Sequence, residues 1–187
     1  EKSEAIRQAY VEHIAKMFDI AGFEGGREAA DTIMAFETRL AAENMKKEQL
    51  RDYAGNYKKY PLDELPGLMP NFNWDGWLAE LGIEDLDEIV VFTSDYMRAL
   101  DGIITDTDLD TWKTYLTWSA LNQSASRLTR ALDQQNFAFY EQTLQGVEEQ
   151  RADWRRATRT VDSILGEVVG RVYVKRHFPP EAKERML

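Results

Sequence analysis

Apolar residues recur at spacings of three and four along most of this chain, and that helical period constrains its fold more than any other feature. Ile6, Tyr10, His13, Ile14, Met17 and Ala21 share one face of a first helix, which Gly22 stops. After the Gly25-Gly26 break, Ala29, Ile33, Phe36, Leu40 and Asn44 form the stripe of a second helix, close enough in sequence to pack on the first as a hairpin. From Tyr53 to Trp77 the chain is interrupted by Pro61, Pro66 and Pro70, which predicts short helices and turns anchored by Tyr57, Tyr60, Phe72, Trp74 and Trp77. Ile89-Val90-Val91-Phe92 is the one compact β-branched run, a candidate strand whose partner lies across a loop or outside the chain. Ser94 reads as the N-cap of a helix through Leu100. Thr107 with Asp110 reads as an acidic capping box, and the helix it opens carries Leu109, Trp112, Leu116, Leu121, Ala125, Leu128 and Leu132. A further helix is expected from about Gln134 to Leu144. The last long one carries Trp154, Thr158, Val161, Leu165, Val168 and Val172, with Gly166 and Gly170 available for close helix contact, and Pro179-Pro180 ends it and can begin a short final turn. With no repeat, low-complexity tract or Gly/Ser-rich linker, the expectation is an all-α, multi-helix protein with at most one short strand pair, a single domain over residues 1–187.

Composition narrows the function. The 187 residues are 43% hydrophobic, ample for a buried core. A net charge of -10 disfavours broad contact with nucleic acid or an anionic membrane, because binding phosphate requires basic side chains that displace counterions. The charge is uneven: from Arg151 onward the balance is +4, and over residues 1–150 it is -14. The plain reading is a basic helix against an acidic remainder of the same protein. The absence of cysteine removes disulfides, a thiol nucleophile and cysteine-ligated metals. No apolar run approaches the roughly 18 residues that span a bilayer, and the first residues lack the pattern of a signal peptide.

Few residues invite a chemical role. The two histidines, His13 and His177, do not begin a His-Glu-x-x-His motif, which places two ligands on one helix face with a general base between them. His13 lies on the apolar stripe and reads as a hydrogen-bonded packing residue, and His177 reads as a helix-end residue. Asp106-Thr107-Asp108-Leu109-Asp110 imitates the start of a calcium loop, but the required Gly and Glu positions hold Thr111 and Thr117, so capping is the better account. Gly22-Phe23-Glu24-Gly25-Gly26 is a helix connector, Glu148-Glu149 a solvated pair, and Asn122-Gln123-Ser124 a sequon weakened by its mid-helix place. Trp74 and Trp77 belong to a core, with a groove for carbohydrate or peptide as the minor alternative. No catalytic or metal-ligating residue is assigned, and substrate-binding residues are unknown.

An ordered series of short matches runs through the chain. It includes Tyr10-Val11-Glu12-His13-Ile14, Phe36-Glu37-Thr38-Arg39-Leu40-Ala41, Arg51-Asp52 with Tyr57, and Pro70, Phe72, Trp74 and Trp77. It continues with Trp112, Tyr115, Leu116 and Trp118, then Phe137, Phe139, Tyr140 and Leu144-Gln145-Gly146. It closes on Trp154-Arg155-Arg156, Gly166, Gly170-Arg171-Val172-Tyr173-Val174 and Phe178-Pro179-Pro180-Glu181-Ala182-Lys183. In this order the residues resemble the neprilysin and endothelin-converting-enzyme family of zinc metalloendopeptidases. Lys58 departs from the family's Asn, and Thr158 stands near a position that is Cys in animal members, so their disulfides do not carry over. The resemblance implies a helical lid domain that encloses a peptide chamber together with a zinc-bearing catalytic domain. The zinc motif, third ligand and catalytic His of the family have no counterpart before Leu187, so zinc is implied for the parent enzyme and not for this chain. Its implied partners are that catalytic domain and the parent's peptide substrates, with no nucleic acid and no membrane segment. The compartment stays open between cytoplasmic and exported bacterial. A freestanding helical interaction module, using the face around Arg155, Arg156 and Arg159, is the alternative.

Overall fold

The structure, a computed structural model, describes residues 2–83, 85–178 and 180–185. It falls into two compact units, Glu1–Tyr140 and Glu141–Leu187. Helices dominate, and two three-residue strands form the one sheet among the described residues.

The first unit starts with α1 (Lys2–Ile20) and α2 (Gly26–Ala42), packed as the expected hairpin. Gly22 and Gly25 turn the chain between them with positive φ, 82° and 72°, a region closed to most side chains. Gly26 is needed for a different reason, since a Cβ there would lie 2.7 Å from the Ala15 carbonyl oxygen of α1. Val11, Ile14, Met17 and Phe18 of α1 meet Ala30 and Ile33 of α2, and the core closes with Trp118 and Leu121 from α6 (Leu109–Ser124) and Leu132 from α7 (Arg130–Phe137). Each Val, Leu, Ile, Met or Phe side chain among them, fully buried, contributes about 1.5–3 kcal/mol. Phe36 of α2 adds edge contacts to Trp112 and Tyr115 of α6, both at 4.9 Å between centroids.

A smaller second core lies between these helices in sequence. It holds Leu65, Leu68, Met69, Trp74 and Val91, backed by Met97 and Leu100. The candidate strand has its partner across a loop: β2 (Glu88–Val90) pairs antiparallel with β1 (Lys59–Pro61), with Tyr60 opposite Ile89. The proline-rich stretch forms α3 (Tyr53–Asn56), a 3-10 segment (Leu62–Gly67) and α4 (Trp74–Glu80). Asp52 and Asn73 cap the two short helices through their side chains, accepting from Gly55 N and Gly76 N.

Three boundaries differ from the sequence reading. The helix α5 (Ser94–Asp106) runs past Leu100, and Ser94 is its first residue, preceded by Thr93 as N-cap. The cap of α6 is Asp108 and not Thr107: its Oδ1 accepts from Thr111 N at 2.8 Å and its Oδ2 from Thr111 Oγ1 at 2.9 Å. The stripe read as one helix to Leu132 is broken, because Leu128 leaves helical geometry and Thr129 caps α7 by accepting from Leu132 N. A threonine hydroxyl able to bond its own backbone competes with helix continuation there. A π-helical segment, Ala138–Thr143, follows α7.

The second unit is built on α8 (Asp153–His177) and α9 (Pro180–Glu184). Asp153 lies in the first turn of α8, and Lys175, Arg176 and His177 lie in its last, the arrangement that complements the helix dipole. Leu165 departs from helical geometry (φ -118°, ψ 22°) immediately before Gly166 and kinks the helix. A Cβ on Gly166 or Gly170 would meet nothing within 4 Å. Pro179, read as the helix stop, lies outside the described residues.

Candidate functional site

The first unit assembles a polar cluster inside its apolar core. His13 is almost wholly buried, its ring stacked on Phe139 at 4.8 Å and edge-on to Trp118 and Tyr140 at 5.5 Å each. Its Nδ1 is hydrogen-bonded to Gln135 Nε2 at 3.1 Å, and its Nε2 has no partner among the described residues. Burial, reinforced by the charge of Lys16, pushes the His13 pKa down to about 4, so the ring is neutral at physiological pH. Beside it Trp118 Nε1 donates to Tyr10 Oη at 3.1 Å, and Tyr10 Oη donates to Glu37 Oε1 at 3.1 Å. Burial raises the Glu37 carboxyl, with the Tyr10 hydrogen bond opposing it, and burial raises the Tyr10 and Tyr140 hydroxyls as well. Asn122 Nδ2 donates to Tyr140 Oη and Asn136 Nδ2 to Asn122 Oδ1, each at 2.9 Å.

This cluster ties α1, α2, α6 and α7 together through groups that need partners once desolvated. It contains no activated nucleophile. Of its polar members, the sequence reading weighed a chemical role only for His13 and Asn122; Gln135 and Asn136 escaped it because the α7 register is hidden by the break at Leu128, and Glu37 because nothing in the α2 stripe shows that it faces Tyr10. The only available signal was polar residues three and four apart near aromatic ones.

The remaining sequence candidates are scattered. His177 ends α8 beside Tyr173, with ring centroids 5.0 Å apart. Glu148 and Glu149 are exposed. Trp74 is buried in the second core, its Nε1 donating to Met69 O at 3.2 Å, while Trp77 is largely exposed. The two rings stand edge to face at 5.9 Å with Phe72 against both, so Trp74 packs the core instead of lining a groove with Trp77.

Within the second unit the arginines named from the sequence converge. Arg155, Arg156 and Arg159 share an open cleft of about 690 Å³ with Arg151, and Glu141 and Glu149 line it as well. Arg156 pairs with Asp153 at 3.6 Å, and the Arg155 guanidinium sits 5.1 Å from the Trp154 ring centre. Among the described residues no group of three or more His, Cys, Asp and Glu side chains could hold a metal ion. His13 sits among aromatic rings with no second ligand, so zinc does not fit the residues described. None of these helices is long and apolar enough to cross a membrane.

Comparison with known proteins identifies the fold. The chain matches the open-state structure of Mycobacterium tuberculosis zinc metalloprotease Zmp1 with a TM-score of 0.91 and 34% identity, over 100% of this chain and 30% of that one. The inhibitor complex of the same protease matches with a TM-score of 0.88 and 32% identity, over 100% of this chain and 29% of that one. Neprilysin-2 of Caenorhabditis elegans is 28% identical over 195 residues, covering 96% of this chain and 26% of its own length. Endothelin-converting enzyme 1 of Mus musculus is 25% identical over 191 residues, covering 97% of this chain and 25% of its own length. The fold is that of the amino-terminal helical region of neprilysin-like metallopeptidases, as the residue series implied. Residues 1–187 match the amino-terminal model of peptidase family M13, and the chain belongs to that family. It spans about a quarter of the length of these sequence relatives.

Proposed function

We propose that residues 1–187 form one helical domain of a neprilysin-like zinc metalloendopeptidase, where they wall the chamber that admits oligopeptides and excludes folded proteins. The observation that carries this reading is a match over the whole of this chain to less than a third of a zinc metalloprotease. Catalysis then belongs to polypeptide beyond the matched region. The domain's contribution is selection by size and exclusion of bulk water around the reacting peptide. By itself it hydrolyses nothing.

The purified 187-residue chain is expected to bind no stoichiometric zinc and to cleave no short peptide in a chelator-sensitive manner. Zinc at one per chain together with such cleavage would overturn the proposal. A coding sequence that stops at Leu187 favours the alternative, a freestanding interaction module using the arginine cleft of α8.

A further inference from the structure

The arginines of the second unit stand where they do nothing for their own helix. Asp153 in the first turn of α8 answers the helix dipole, whereas Arg155 and Arg156 in the same turn oppose it, because cations are unfavourable at the positively polarised end. Asp153 pairs with Arg156. Arg151, Arg155 and Arg159 have no carboxylate within ion-pair distance among the described residues, although Glu141 and Glu149 line the same cleft. Four arginines and two glutamates leave the lining with two positive charges in excess. Part of this lining is fixed in advance. The Arg155 guanidinium rests on the Trp154 ring, 5.1 Å from its centre. Thr160 Oγ1 donates to Arg156 O at 3.1 Å and Ser163 Oγ to Thr160 O at 2.9 Å, so these hydroxyls are turned to their own backbone and the guanidinium forks are the cleft's charged donors.

We propose that this cleft binds a compact ligand bearing a phosphate group with two or more negative charges, held by Arg151, Arg155 and Arg159. A carboxylate presents two oxygens and one edge to a guanidinium fork, whereas a phosphate has three terminal oxygens and more than one edge to offer, which suits several forks converging on one space. The volume of about 690 Å³ leaves room for an organic body beside the anion and falls in the range of small-molecule sites. A long polyanion is disfavoured, because residues 1–150 carry a balance of -14 that repels an extended phosphate chain. The assignment is independent of the peptidase reading, since every residue it uses lies within this chain.

Isothermal titration of the 187-residue chain and of the full-length polypeptide of the same gene, with pyrophosphate as the free anion and glycerol 3-phosphate as the ester, tests it at one fixed ionic strength. The expected result in both proteins is one site per chain for at least one of the two anions, with a Kd below about 1 mM, and the tighter of the two names the source. Arg155→Gln with Arg159→Gln should weaken that binding tenfold or more while the helical circular dichroism is kept, and Arg151→Gln repeats the test if it is not. Arg98→Gln, which removes an equal charge from an exposed position of α5, should leave the affinity unchanged. Succinate should bind at least tenfold more weakly. No saturation up to about 10 mM overturns the site. So does an equal loss in Arg98→Gln, which would make the effect one of net charge, or succinate binding as tightly as the phosphates. Binding that survives loss of the arginines would put the anion elsewhere, and binding to the 187-residue chain that is missing from the full-length protein would mean that further polypeptide fills the cleft; either result overturns the proposal.

Discussion

His13 and Phe139 lie face to face, centroids 4.8 Å apart and planes 10° from parallel, so an imidazole from α1 is held as an aromatic packing element. Its second hydrogen-bonding nitrogen is enclosed by the same rings, and protonation there would place an unpaired charge in the core.

Stability is therefore expected to fall as pH is lowered from about 6.5 to about 4. In that window the unfolded ring takes up a proton and the native ring does not, so the unfolded state binds more protons. Above the window this group contributes no slope, and below it no further loss. The full effect is about 3 kcal/mol at most. The carboxyl of Glu37, raised by burial, acts in the opposite sense in its own range, so the comparison is between wild type and His13→Gln in urea titrations across the window. Parallel losses in the two proteins would show that His13 does not stay neutral.

Tyr10 joins two partners, accepting from Trp118 Nε1 and donating to Glu37. Tyr10→Phe keeps the ring and strands both, so a loss of about 1–3 kcal/mol is expected in chemical denaturation. An unchanged midpoint would mean that water replaces the hydroxyl at no cost.

Gly26 brings α2 onto α1. Gly26→Ala would set a methyl 2.7 Å from both Ala15 O and Asp19 Oδ1 and 3.3 Å from Phe18 Cβ. Backbone oxygen cannot rotate away, so separation of the helices at a loss of about 1–3 kcal/mol is expected, read as a lowered thermal midpoint. Gly102, with nothing within 4 Å of an added Cβ, serves as the control: Gly102→Ala in the interior of α5 should not destabilise.

Asp101 of α5 is buried and accepts from both Asn71 N and Asn71 Nδ2, each at 2.9 Å. Asp101→Ala leaves those donors unmatched and frees the loop before α4 from α5. Amide hydrogen exchange over residues 69–74 should quicken by tenfold or more, with α1 and α2 unaffected; uniform acceleration everywhere would instead indicate global unfolding.

Much of this was legible beforehand. The stripes of α1, α2 and α8 announced themselves because an apolar helical face repeats every 3.6 residues whether or not it is covered in this chain. The Gly22–Gly26 connector was legible because few residues tolerate positive φ. The family series from Tyr10 to Lys183 carried the class of enzyme. The cap of α6 and the break at Thr129 were misread because several neighbouring side chains could cap, and local propensity separates such competitors by less than packing does.

The sequence by itself determined an all-helical chain, its hairpin, its single β-branched run and its kinship, all of which rest on local periodicity or residue order. Only the tertiary structure decided that Lys59–Pro61 is the partner of that run, that Glu37, Tyr10 and Trp118 form one hydrogen-bonded line, and that α8 leaves its apolar arc open. Those relationships join residues up to 108 positions apart, and a partner at that distance is set by how desolvated groups are matched across the packed helices.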